Sequence, residues 1–215
     1  MNVLLDHLPQ FREGFLGTLA LTAASAALAL VLGIIMAGFR VSPIPPLRAF
    51  GTAWVTLLRN TPLTLLFLIA FFVVPQIFFP GTSPFVLAML ALSCYTSSFV
   101  CEAVRSGINT VPLGQAEAAR SLGMTFAQTL RMIVLPQATR TVIPPMSSIF
   151  IALTKNTAIA GAFSNAELFN ISKLLTDKGF AIGWTFLWIA LCYLVITFTI
   201  SGAFRLLESR LEVAR

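Results

Sequence analysis

Few side chains in this sequence can do covalent or metal chemistry. Its one histidine, His7, lies near the N-terminus, and its three cysteines, Cys94, Cys101 and Cys192, sit inside apolar runs with no CxxC spacing. A metal site or an activated nucleophile needs convergent His, Cys or carboxylate groups, and no paired carboxylates stand beside His7 or the cysteines. No catalytic residue and no metal ligand is therefore expected. A GxxxxGKS or GxxxxGKT phosphate loop is also missing, so any ATP must be bound by another chain. The groups that remain suit recognition rather than reaction. Glu102 and Lys155 are ionisable groups in or near long apolar runs, where such groups are costly and by default functional. Each also has a plainer reading: Glu102 has Arg105 three residues on, and Lys155 can snorkel to an interface. Three polar clusters accompany them: "RNTP" with Asn60 and Thr61, "SCYTSS" with Tyr95, Ser97 and Ser98, and "TKNT" with Asn156 and Thr157. Hydroxyls and amides supply the donors and acceptors that a zwitterionic amino acid requires. They equally make hydrogen bonds between helices, and spacing alone leaves both roles open.

The elements that must position these groups are helices in a bilayer. Hydrophobic residues make up 57% of the 215 and charged ones only 10%, with mean hydropathy +0.89. A soluble domain needs far more surface charge. A span needs roughly 20 apolar residues. Charge-free runs over 14–39, 60–101 and 179–204 place spans at 14–39, 60–79, 84–104 and 179–204, and a further span, the fourth in chain order, lies at 141–163 and contains Lys155. Pro80, Gly81 and Pro84 divide the second from the third. Pro144 and Pro145 are expected to disturb the start of the fourth and free backbone groups there. The N-terminus has acids, a proline and no basic n-region, so the first span is expected to be retained. The reading is one all-α membrane domain over 1–215.

The net charge of +6 does not imply nucleic acid, because the basic residues are scattered at the ends of apolar runs. With the N-terminus outside, ten of the 14 basic residues fall inside: Arg40, Arg48, Arg59, Arg105, Arg120, Arg131, Arg140, Arg205, Arg210 and Arg215. Three fall outside, Arg12, Lys173 and Lys178, and Lys155 lies within a span. This bias predicts a cytoplasmic C-terminus and a cytoplasmic loop over 107–136.

That loop reads "GQAEAARSLGMTFAQTLRMIVLP" from Gly114. Pro112 suits a helix start, and Glu117 and Arg120 are spaced to pair. Gly123 suits a left-handed helix end, and Thr125 with Gln128 has capping-box spacing. Pro136 marks a boundary before the fourth span. The prediction is a short helix, a glycine turn and a second helix. Ala116, Ala118 and Ala119 make one side thin, which fits a groove on a soluble partner; lying on lipid is the competing reading.

These residues resemble a known family. "GQAEAARSLG" followed by "IVLPQA" resembles the EAA loop of permease subunits of ABC importers. "GFLGTLALT" at 14–22, "LLRNTPLTLLF" at 57–67, "EAVRSGINTVP" at 102–112 and "PPMSSIFIALTKNT" at 144–157 resemble the polar-amino-acid permeases among them. The likeness runs from about residue 14 to about 210. It implies the type I ABC importer permease fold of five transmembrane helices, a second identical or homologous permease, two cytoplasmic ATPase subunits and an extracytoplasmic amino-acid-binding protein. ATP and Mg would be held by the ATPase, with no cofactor in this chain. The loop would be the coupling helix, with Gly114, Glu117, Ala118, Ala119 and Gly123 as its joint residues. A substrate path would draw on Asn60, Thr61, Tyr95, Ser97, Ser98, Glu102, Lys155, Asn156 and Thr157. Family members often carry Asp where Asn156 stands, and one negative charge fewer suits an acidic substrate of the glutamate type. The implied location is a bacterial cytoplasmic membrane. A stand-alone secondary transporter is the main rival and would bring more spans or an internal repeat. A membrane-embedded enzyme would need a catalytic cluster, and an exporter or sensor component would keep the ABC architecture without a binding protein.

Overall fold

The computed structural model describes residues 3–78, 80–163 and 165–211. Arg215 and the end of the second expected span at residue 79 lie outside them. All described elements are helical: α1 (Val3–Asp6), α2 (Leu8–Val41), α3 (Pro45–Asn60), α4 (Leu63–Leu68), α5 (Val74–Ile77), α6 (Pro84–Asn109), α7 (Leu113–Ser121), α8 (Phe126–Thr129), α9 (Leu135–Ala162), α10 (Leu168–Asp177) and α11 (Ile182–Leu211). Two π-helical turns interrupt this order, at Ile69–Val73 and Leu130–Val134. Each is followed, two residues past its end, by a proline: Pro75 and Pro136. A proline has no N–H for the carbonyl four residues back and its ring crowds that carbonyl, so the preceding turn widens. Pro136 is thus not a break: α8, the π turn and α9 form one continuous helical run. Nor do Pro144 and Pro145 lie at a helix start, because α9 begins at Leu135 and stays helical through them.

Three helices, α2, α6 and α11, are long and apolar enough to cross a membrane. The pair α3 and Leu63–Ile77, bent by 103°, makes a fourth if counted as one span. The expected span at 60–79 is therefore only the second arm of a bent unit. Its first arm, α3, carries Arg48 and Arg59, so no charge-free run marks it. Helix α9 has the length, 28 residues, but its Thr154–Thr157 run dilutes its apolarity.

Helices α2 and α6 are in close contact because small residues meet on their facing sides. Ala29, Ser25, Ser93 and Ala88 are fully buried, and the Ser93 hydroxyl donates to the Ser25 carbonyl at 3.3 Å. A Cβ on Gly33 would stand 2.5 Å from Val100 Cγ1. Close approach of this kind is how membrane helices gain packing without a hydrophobic driving force. One core joins Leu21, Phe67, Leu92 and Leu153 across α2, α4, α6 and α9, with Phe67 stacked on Phe163 at 5.5 Å and Phe71 tilted against it at 4.8 Å. A second joins Phe11, Leu168, Ile171, Leu175, Ile189 and Ile196. It exists because α10 buries every third or fourth residue, a period that Lys173 and Asp177 concealed from a search for charge-free runs.

The seam around residues 165–170 fastens α2, α6, α9 and α11 together. Glu167, only 1% exposed, caps α10 by accepting from the Asn170 N–H at 2.9 Å. Tyr193 of α11 donates to its other oxygen at 2.6 Å. The Thr18 hydroxyl of α2 accepts from the Leu168 N–H at 3.1 Å, and the Asn165 amide donates to the Pro84 carbonyl at 3.3 Å. Burial raises the Glu167 carboxyl above the usual carboxylate range, against the pull of Tyr193 and the backbone amides of Phe169 and Asn170. Replacing Glu167 with alanine removes the acceptor of the buried Tyr193 hydroxyl and the side-chain cap of α10, while the Asn170 N–H keeps the Glu167 carbonyl at 3.1 Å; the cost is about 2–4 kcal/mol in total. The expected result is a clearly lower thermal midpoint in detergent for Glu167→Ala, with Glu167→Gln retaining most of it. Equal losses in both would show that the charge, and not the hydrogen bonds, holds the seam.

Candidate functional site

The path candidates separate into three groups. Tyr95 and Asn156 come together, on facing walls of a cavity of about 340 Å³ between α6 and α9, with Thr96, Phe99, Ser148, Ile149, Ala152 and Leu153. No charged residue lines it, and a volume of this order suits a small ligand. Ser97, Ser98 and Thr157 are fully buried and lie off the cavity lining. Ser97 donates to the Cys94 carbonyl at 2.7 Å and accepts from the Trp54 indole at 3.0 Å, tying α3 to α6. Ser98 donates to the Tyr95 carbonyl at 2.6 Å. Thr157 donates to the Thr154 carbonyl at 2.7 Å, and its hydroxyl is 3.5 Å from that of Tyr193, beside the Glu167 seam. Asn60 and Thr61 end α3, their side chains donating to the Thr56 and Leu57 carbonyls at 2.8 and 2.7 Å. Lys155 is exposed on the outside of α9.

Glu102 is the centre of a charged cluster. It pairs with Arg40 from α2, with Arg105 on its own helix at 3.2 Å and with Arg59 from α3 at 3.8 Å. The pairing with Arg105 was legible in the three-residue spacing. Arg40 and Arg59 were not, because their approach depends on how α2 and α3 fold against α6. Arg59 also lies over the Phe99 ring, 5.2 Å from its centroid.

The loop between α6 and α9 has a defined geometry. Helix α7 ends in a Schellman motif: Gly123, at φ +80°, donates to the Arg120 carbonyl at 2.9 Å and Met124 to that of Ala119 at 3.1 Å. Thr125 and Gln128 complete the capping box at the start of α8. Gly114, Glu117 and Ala118 are exposed while Ala119 is buried, so the thin side of the helix faces two ways. Glu117 and Arg120 are not among the described ion pairs, all of which converge on Glu102. Instead, α7 is tied to α9 by Gln137 donating to the Gln115 side chain. Nearby, α6 and α9 touch closely, since a Cβ on Gly107 would lie 3.0 Å from the Ala138 carbonyl. Leu113, Leu122 and Phe126 project from this loop, each more than 70% exposed. Sequence reasoning missed the Gln115–Gln137 tie, although both residues lie within the quoted motif blocks.

Residues 29–213 match the profile of the binding-protein-dependent transport system inner membrane component family. The chain belongs to that family. Among permeases of this kind, it is 36% identical over 212 residues to the probable glutamine ABC transporter permease protein GlnM of Bacillus subtilis, covering 99% of this chain and 98% of that one. It is 44% identical over 170 residues to the glutamate transport system permease protein GluC of Corynebacterium efficiens, covering 74% and 75%. Its fold superimposes with TM-score 0.89 on a chain in the crystal structure of an amino acid ABC transporter with histidines, at 30% identity and 96% coverage of both. The resemblance to polar-amino-acid permeases of ABC importers therefore holds. As a binding-protein-dependent permease the chain is a multi-pass membrane protein, and its relatives are membrane subunits rather than ATPases. Membership of an ABC importer permease family implies ATPase and substrate-binding partners.

Proposed function

We propose that this permease is the membrane subunit of an ATP-driven importer of polar amino acids, with glutamate-type substrates favoured. It works by alternating access. Five spans are formed by α2, the bent α3–α5 unit, α6, α9 and α11, with the N-terminus outside and the C-terminus in the cytoplasm. Helix α7 and the turn at Gly123 are the coupling helix, which seats on a partner ATPase that binds ATP and Mg. A second permease, identical or homologous, closes the open side of the Tyr95–Asn156 cavity, where Ser148 and Ala152 are exposed. An extracytoplasmic binding protein delivers the substrate. This chain holds no cofactor of its own and does no chemistry.

One observation carries the reading: the helix–turn–helix projects Leu113, Leu122 and Phe126, each more than 70% exposed, and Gln137 ties it to the helix that lines the cavity. ATP-driven closure below and access above are coupled only if one two-state element joins them. The test is purification from the native membrane in mild detergent with the co-purifying chains identified by mass. An ATP-binding subunit is expected in stoichiometric amount. Its absence, with uptake that continues without it, would favour the stand-alone secondary transporter.

A further inference from the structure

Phe99 links the cavity to the charged cluster. Tyr95, Phe99 and Glu102 follow one another on α6 at spacings of four and three, which is one helical stripe. The stripe starts in the cavity wall and ends at a carboxylate gathered by three arginines. Arg59 bridges the step, with its guanidinium 5.2 Å from the Phe99 centroid and 3.8 Å from Glu102. That contact is the loosest of the three, because Glu102 is already bonded to Arg40 and to Arg105. The Arg59 side chain is also the most exposed of the three, at 44% against 37% for Arg105 and 14% for Arg40. Three guanidiniums around one carboxylate leave a surplus of positive charge, and Arg105 Nε is buried without a partner. A guanidinium fork binds a carboxylate by two parallel hydrogen bonds.

We infer that Arg59 is a specificity-determining residue: it exchanges its loose contact with Glu102 for the carboxylate of an anionic amino acid passing between the Tyr95–Asn156 cavity and the arginine cluster. This inference rests on the amino-acid import reading above. The cavity wall is uncharged, so discrimination between a side-chain carboxylate and the matching amide falls to Arg59. Arg40 and Arg105 are hydrogen-bonded to Glu102, which leaves Arg59 as the exchangeable cation of the cluster.

The experiment uses the assembled transporter in detergent without its binding protein, and measures binding of radiolabelled L-glutamate and L-glutamine to the parent, Arg59→Gln and Arg59→Lys. Arg59→Gln is expected to weaken glutamate at least about tenfold more than glutamine. Arg59→Lys should recover part of that preference, since it keeps the charge and loses the fork. Added salt should erode the parent's preference more than that of Arg59→Gln. Equal weakening of both ligands would overturn the inference by making Arg59 merely structural. Parental affinity for both ligands in Arg59→Gln would overturn it by making Arg59 irrelevant. A parent complex that binds neither amino acid would overturn the inference, whereas the import reading would be overturned only by uptake that continues without the ATPase.

Discussion

Gly17→Ala is expected to destabilise the protein strongly, whereas Gly38→Ala on the same helix stabilises it. Helix propensity alone predicts a gain of about 1 kcal/mol for either change. At Gly38 nothing lies within 4 Å of the added Cβ, so the gain survives. At Gly17 the Cβ would fall 1.7 Å from the Ala166 carbonyl oxygen. That oxygen is backbone and cannot rotate away. It is also held in place, because the next residue, Glu167, caps α10 and is fixed by Tyr193. Gly14 and Gly161 press on the same segment, with a Cβ on Gly161 reaching 1.8 Å from the Glu167 Oε1. Overpacking typically costs about 1–3 kcal/mol where side chains can yield, so a clash with pinned backbone lies at the top of that range or above it. Thermal unfolding in detergent, followed by size-exclusion chromatography, gives the sign directly. A Gly17→Ala midpoint at or above the parent's would mean that α2 and α10 are not in close contact in the membrane.

The second large effect concerns transport rather than folding. Glu117 is exposed, so Glu117→Arg should change stability by no more than about 0.5 kcal/mol. Gly123→Val differs: a β-branched side chain at φ +80° meets the left-handed penalty of roughly 1–2 kcal/mol and loosens the Schellman turn that orients α7 against α8. Both variants are expected to remain in the membrane at near-parental levels and to lose ATP-driven uptake by about tenfold or more, with the co-purified ATPase depleted in Glu117→Arg. A charge reversal that does not touch the fold can act only through a partner. Parental uptake in both variants would remove α7 from the role of joint.

The class of this protein and much of its loop were legible in the order of its residues. Charge-free runs located α2, α6 and α11, because a bilayer forces apolar length on any helix that crosses it. The glycine turn at Gly123 and the capping box at Thr125 and Gln128 were legible, because caps and left-handed turns are decided by a few neighbouring residues. The motif blocks identified the permease family for the same reason: each is local. Which polar groups meet depends instead on how the helices pack. Arg40, Arg59 and Glu102 lie on three different helices and share one site through the way α3 folds back. Tyr95 and Asn156 share a cavity, while Ser97, Ser98 and Thr157, drawn from the same polar clusters, turn inward to tie helices together. Glu167, a lone acid between two apolar runs, carried no pattern at all. Its role as a buried cap exists only because three glycines on two other helices let the backbone come close enough to enclose it.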